Sequence, residues 1–97
     1  MKTIQKIVTS SNSPLVIPLS SRGGPVGVGI TPSGAGNYTA ELSLTPLQEG
    51  LTVNYFPIDD MTAATSAVVK EIGPIESIRV TLNSGASVAI DVTQSDV

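Results

Sequence analysis

The sequence predicts an all-β protein, an antiparallel β-sandwich of about eight short strands with a jelly-roll-like arrangement. Short apolar stretches are separated by nine glycines and seven prolines, and this density of turn residues is typical of strands joined by tight connections. In several stretches apolar and polar residues alternate, which is the period of a sheet with one face in water. An immunoglobulin-like sandwich is the alternative, although the Cys–Trp–Cys pattern of those domains is missing.

Four strands are predicted in the first half of the chain, at residues 3–9, 14–19, 26–30 and 37–45. The second of them contains two prolines, which cannot donate to a ladder, so it belongs at a sheet edge or a strand end. The third contains two glycines, which indicate a bulge or the close approach of another group. The fourth alternates most clearly, with its tyrosine, alanine and leucines on one face.

Four more strands are predicted in the second half, at residues 51–56, 67–72, 75–82 and 87–93. The last two alternate on either side of a short glycine-containing loop, which is typical of an antiparallel hairpin. Residues 59–66 are the only helix-like piece. Their threonines and short length predict a loop with one helical turn at most.

The chain length of 97 residues predicts one domain, residues 1–97, in which residues 1–13 are left open as an extended N-terminal arm. One phenylalanine, two tyrosines and no tryptophan leave the core to be filled by aliphatic side chains. A thin aliphatic core has a small stability margin, and docking on a larger assembly would add to it.

The charge pattern argues against nucleic-acid and membrane partners. The net charge is −3 and the five basic residues are scattered, whereas a nucleic-acid binder clusters its lysines and arginines. No stretch reaches the roughly 18 apolar residues of a membrane span. No apolar run near the N-terminus is long enough for a secretion signal.

The residue types needed for ordinary catalysis are missing, so we expect a non-enzymatic protein without cofactor or metal. The chain has no histidine and no cysteine, which excludes histidine-dependent triads and the usual zinc sites. Asp59 and Asp60 form the one carboxylate pair, interpreted as a turn rather than a calcium or acid–base site. The glycine-rich residues 24–29 lack the lysine of a phosphate loop and are interpreted as a strand. The glycosylation sequon at residues 37–39 is interpreted as chance.

Four residues are candidates for a protein interface: Arg22, Arg79, Tyr55 and Phe56. Arginine is enriched at interface hot spots, so Arg22 and Arg79 are the best anchors for a partner. Arg79 lies in mid-strand on the polar face, where a charge that blocks strand pairing is an equally good interpretation. Tyr55 and Phe56 fit either an exposed aromatic patch or the core, and the core is favoured because the chain has so few rings to bury.

Stretches spread over most of the chain carry a likeness to a known class of proteins. They are the glycine-interrupted strand 26–30, the strand 38–44, the stretch 54–57 that leads into 60–65, and the closing segments 74–82, 84–85 and 88–94. In their order and texture these stretches resemble small virion proteins of tailed bacteriophages, in particular capsid decoration (cement) proteins built as small β-sandwiches or jelly rolls.

The resemblance implies a structural role on the outer surface of a phage head, in a protein made in the host cytoplasm and carried on the virion. Its partner would be the major capsid protein, whose subunits it would bridge. The protein would be a homo-oligomer, a dimer or trimer at local symmetry points. The alternative is a carbohydrate- or receptor-binding module of a fibre or tail, for which Tyr38, Tyr55 and Phe56 are the only aromatic candidates.

Overall fold

The computed structural model describes residues 2–34, 36–48 and 50–95, with the backbone alone at Lys2. Within these ranges the chain forms eight strands and no helix, so the predicted all-β class is confirmed. The strands are β1 (Lys2–Val8), β2 (Leu15–Pro18), β3 (Val26–Pro32), β4 (Asn37–Ser43), β5 (Phe56–Pro57), β6 (Val68–Ile72), β7 (Ser77–Ser84) and β8 (Val88–Gln94).

The strands form two four-stranded antiparallel sheets in a sandwich-like arrangement. One sheet has the order β1-β8-β3-β6 and the other the order β2-β7-β4-β5. The pairs β1·β8, β2·β7, β3·β6 and β4·β5 are nested, so the first four strands meet the last four in reverse order. The pairs β3·β8 and β4·β7 complete the two sheets. Almost every ladder therefore joins residues that are far apart in sequence.

The core lies between the sheets and is mostly aliphatic, as the composition predicts. Alternate residues of β3, β4, β7 and β8 are buried, because a period of two places them on one face. Tyr38 is the one aromatic ring among the fully buried side chains, and Met61 reaches the core from the β5–β6 connection. The buried apolar set is Val8, Ile17, Val26, Val28, Ile30, Tyr38, Ala40, Ile58, Met61, Ile75, Ile78, Val80, Val88, Ile90 and Val92.

The first strand is an edge of its sheet. Residues 2–8, part of the segment left open as an N-terminal arm, pair with β8 along their whole length. Ile4 packs against the core and Val8 is fully buried. The Asn12 side chain folds back and donates from Nδ2 to the Ile7 carbonyl oxygen at 3.0 Å. This bond caps one backbone acceptor at the end of the strand.

The predicted C-terminal hairpin is wrong. β7 and β8 follow one another in sequence but belong to different sheets, β7 between β2 and β4 and β8 between β1 and β3. Gly85, with a φ of 93°, lies in the short connection that carries the chain across the sandwich. Alternation reports which residues face the core. It does not report whether two strands lie side by side or face each other across that core.

The predicted strand 51–56 is also wrong over most of its length. Only Phe56 and Pro57 pair with β4, and Leu51 is 48% exposed. β4 ends at Ser43, so Leu44, predicted to face the core, is 61% exposed. Residues 51–55 belong instead to the β4–β5 connection, and Tyr55 at its end stacks on Arg79 of β7 in the same sheet.

The segment between β5 and β6 closes the free edge of β4 without forming a helical turn. The Ala64 and Tyr38 backbones exchange two hydrogen bonds of 2.8 and 3.0 Å. The Ala40 amide donates to the Met61 carbonyl oxygen at 2.8 Å, and the Ile58 amide donates to the Ala40 carbonyl oxygen at 3.2 Å. These bonds satisfy the backbone of β4 where its neighbour β5 is only two residues long.

Two residues of this segment have a left-handed backbone, Asp60 with a φ of 66° and Ala63 with a φ of 50°. An alanine in this region is strained by contact of its Cβ with the backbone. Ala63 is held there because its amide donates to Thr39 Oγ1 at 3.0 Å, while Asn37 Nδ2 donates to its carbonyl oxygen at 3.3 Å.

Replacing Ala63 by glycine is therefore expected to raise the free energy of unfolding by about 0.5–1 kcal/mol, because the strain is relieved. Ala64→Gly is the matched control. That residue carries the two bonds to Tyr38 without a positive φ, so its replacement is expected to cost about 1 kcal/mol. Urea unfolding curves of both variants measure the difference, and equal signs for the two changes would contradict the explanation.

Candidate interaction surfaces

Arg79 and Tyr55 are brought together on the outer face of the second sheet. Arg79 donates from Nε and Nη2 to one oxygen of Glu41, Oε1, at 3.1 and 2.7 Å. The Tyr55 ring covers the guanidinium, with Cζ at 3.9 Å from the ring centroid. The Arg79 side chain is 33% exposed and that of Glu41 21%. Arg79 thus joins β4, β7 and the β4–β5 connection, and its charge is already partnered within the chain.

Phe56 and Arg22 are placed apart from that pair. Phe56 lies opposite Leu42 at the edge of the sheet and is 51% exposed. Arg22 is exposed in the β2–β3 connection, where its backbone amide donates to Ser20 Oγ at 3.2 Å. In the described ranges its guanidinium meets no acceptor. Of the four candidates, these two have side chains left open to a partner.

The β2–β3, β4–β5 and β6–β7 connections meet at one end of the sandwich. The Leu19 amide donates to the Glu76 carbonyl oxygen at 2.8 Å, and the Glu76 amide donates to the Ser43 carbonyl oxygen at 2.9 Å. We name this end the apolar end, because the β4–β5 connection and its junction with β5 expose four large apolar side chains there. They are Leu44, Leu47, Leu51 and Phe56, which are 61%, 48%, 48% and 51% exposed.

The leucines of the apolar end were not identified from the sequence. The alternating pattern predicts that Leu44 and Leu51 lie in strands, and residues 46–50 around Leu47 predict a turn. Pro46 and Gly50 beside them are turn residues, and Gly50 has a φ of 88°. That turn chemistry was the available signal that the alternating pattern stops serving the core at this point.

We define the neutral end, at the opposite end of the sandwich, as a group of described connection residues without charge. Asp59 and Asp60, at the start of the β5–β6 connection, are not part of it. It comprises residues 9–14, 33–34, 36, 62–67 and 85–87, which are serine, threonine, asparagine, glycine, alanine and proline. Three of its polar groups form hydrogen bonds within the chain. Ser13 Oγ accepts from the Leu82 amide at 2.9 Å, the Ser33 amide donates to the Ser87 carbonyl oxygen at 2.9 Å, and Tyr38 Oη donates to the Ser66 carbonyl oxygen at 3.0 Å.

Asp59 and Asp60 occupy an exposed turn, and Asp60 forms an ion pair with Lys70 at 2.7 Å between Oδ2 and Nζ. The hydrogen bond to Asp60 raises the pKa of Lys70. Across the part of the chain that the structure describes, no three histidine, cysteine, aspartate or glutamate side chains are grouped as a metal site would require.

Two shallow clefts follow the open edges of the sandwich. One lies between β1 and β2 and is lined mainly by Ile4, Lys6, Leu15 and Ile17. The other lies between β5 and β6 and is lined by the half-buried Leu42 and Ile72 together with Lys70 and Glu71. Both are gaps between edge strands rather than enclosed pockets with converging polar groups.

The described ranges contain no helix of the length and apolarity needed to cross a membrane. Comparison of the chain with protein-family models, with curated proteins and with solved structures finds no significant match in any of the three.

Proposed function

We propose that this chain is a structural virion protein that decorates the outer surface of a tailed-phage head and stabilises it by bridging coat subunits. The observation that carries the proposal is the nested strand order, β1-β8-β3-β6 facing β2-β7-β4-β5. A long hairpin of four strand pairs that is rolled up on itself has this order, and we assign it to the jelly-roll topology. Viral capsid domains and lectin domains are frequent users of that topology.

A fold alone does not define a function, and the side chains support the structural role over the lectin alternative. Sugar recognition relies on exposed aromatic platforms, and the three rings are poorly suited to it. Tyr38 is fully buried, the Tyr55 ring stacks on Arg79, and Phe56 is half-exposed opposite Leu42. A chain with an apolar end and a neutral end instead fits a protein that seats one end on a large assembly.

A binding assay with phage heads tests this proposal. Purified chain is mixed with heads of the encoding phage that lack it, and pelleted binding is followed as a function of concentration. We expect saturable binding at a fixed number of copies per head, and heads that resist heating better when loaded. The same chain is expected among the proteins of purified virions by mass spectrometry. Its absence from virions, together with a lack of binding to such heads, would overturn the proposal.

A further inference from the structure

The apolar end holds more than half of the large apolar side chains that are exposed in the described ranges. Seven large apolar side chains are exposed in the described ranges, and four of them lie at this end. Scattered apolar side chains on a surface are ordinary, whereas a contiguous group indicates a contact site. The other three, Ile7, Val16 and Val69, lie on separate strands, two of them in one sheet and one in the other.

The β4–β5 connection is held by contacts at both ends, which restrict the positions of its leucines before a partner binds. At its start the Thr45 amide donates to Ser43 Oγ at 3.1 Å, and the Ser43 side chain is fully buried. At its finish Tyr55 stacks on Arg79. Between these anchors a turn closes with the Leu51 amide donating to the Gln48 carbonyl oxygen at 3.2 Å. A surface held in place before binding loses less conformational entropy when it docks.

The exposed apolar area of these four side chains indicates which kind of partner they can bind. Four half-exposed side chains offer a few hundred Å² of apolar surface, whereas a standard stable interface buries about 800 Å² on each partner. A symmetric contact between two apolar ends would therefore be small for a free dimer. The same area suffices on a regular array, where many copies bind side by side and each bridges neighbouring subunits.

We propose that the apolar end docks on the assembled coat, into an apolar depression bordered by a carboxylate, and that the neutral end faces solvent. The depression receives Leu44, Leu47, Leu51 and Phe56. The carboxylate pairs with Arg22, which lies at the same end and whose guanidinium meets no acceptor within the described ranges. Lys70 and Arg79 already have internal carboxylate partners. This inference rests on the proposed function and adds to it the docking surface and the chemistry of its partner.

Paired variants test the apolar contact in the head-binding assay. Leu47→Ser with Leu51→Ser removes half of the apolar group, and both side chains are exposed enough to be changed without opening the core. The matched control is Ile7→Ser with Val69→Ser, which are 61% and 81% exposed on the first sheet. We expect the apolar-end variant to bind heads about tenfold or more weakly, and the control to bind like the unmodified chain. Melting curves of the free proteins show that each remains folded.

The charge contact is tested with the variant Arg22→Glu and its control Lys6→Glu, which change the net charge equally. Lys6 is exposed on β1 and forms no ion pair in the described ranges. We expect Arg22→Glu to weaken head binding several-fold, more strongly at low salt, and Lys6→Glu to leave it unchanged.

Several results would overturn the inference. If the unmodified chain binds heads and the apolar-end variant binds equally well, the docking surface is wrong while the proposed function stands. Equal losses of head binding in the apolar-end variant and in its control would likewise show that the docking surface is wrong. A dimer in analytical ultracentrifugation that the apolar-end variant abolishes would assign the surface to a second copy. Failure of the unmodified chain to bind heads at all would overturn the proposed function itself.

Discussion

Replacement of Tyr38 by alanine is expected to lower the free energy of unfolding by about 3–5 kcal/mol, which is a large part of the margin of a small domain. Tyr38 is fully buried and is the largest side chain in a core of aliphatic residues. Its backbone pairs with β7 on one side and with Ala64 on the other. A cavity at this point therefore loosens the contact between β4 and the segment that closes its edge. Urea unfolding measures the loss.

Tyr38→Phe is the control that separates packing from the hydroxyl group. It keeps the ring and removes the bond from Tyr38 Oη to the Ser66 carbonyl oxygen, so a loss of about 1 kcal/mol is expected. Burial raises the pKa of Tyr38 above its usual value of 10.0. Its neutral form is therefore favoured in the folded state. The contribution of the neutral hydroxyl to the free energy of unfolding is fully present below about pH 10 and is lost as the pH rises through the folded-state pKa. The phenylalanine variant has no hydroxyl group and therefore lacks this loss. Equal stabilities of the alanine and phenylalanine variants would contradict the role of the ring.

Replacement of Gln94 by glutamate is expected to cost about 2–4 kcal/mol at neutral pH. The Gln94 side chain is 5% exposed. Its Nε2 donates to the Ser20 carbonyl oxygen at 2.6 Å and to that of Gly24 at 3.3 Å, and its Oε1 accepts from the Ser20 amide at 3.3 Å. A carboxylate in this place would direct an oxygen at two carbonyl oxygens in a site with little water.

The cost of Gln94→Glu is expected to depend on pH in a defined direction. Burial beside two acceptors raises the pKa of the introduced carboxyl in the folded state. The variant is therefore closest to the unmodified chain below about pH 4, and its deficit grows as the pH rises through the folded-state value. Gln48→Glu, at an exposed turn, adds the same charge and is expected to change stability by less than about 0.5 kcal/mol. A similar deficit in both variants would show that net charge, rather than the buried site, is responsible.

The close approach of Gly23 to Gln94 strengthens this expectation. A Cβ on Gly23 would lie 2.7 Å from Gln94 Nε2 and 2.8 Å from its Cδ. The β2–β3 connection is thus closed around the amide group, and little room remains for water to reach an introduced charge. The alternation of β8 places Gln94 on the same face as Val88, Ile90 and Val92. Its hydrogen-bond partners cannot be read from the local sequence, because they lie 70 and 74 residues earlier in the chain.

The candidate site could be predicted from the sequence only in part. The sequence indicates Arg79 and Tyr55 as separate interface candidates. In the fold Arg79 donates to Glu41 and stacks under the Tyr55 ring, so the two residues belong to one contact within the chain. Arg22 and Phe56 remain open to a partner. Leu44 escaped prediction because it continues the alternation of β4, and Leu51 because it begins a second alternating stretch. Their exposure depends on where the sheet ends, which is decided by the strands beside it.

The sequence by itself determined the class of the protein, the position of most strands and the residues that face inward. These are local properties, since alternation over a few residues decides which side chains leave water. Tertiary structure decided which strands are neighbours, as the separation of β7 from β8 into two sheets demonstrates. It also decided that the chain has an apolar end and a neutral end. The physical reason is that sheet order and loop clustering depend on pairing between distant segments, whose energies no short stretch of the chain contains.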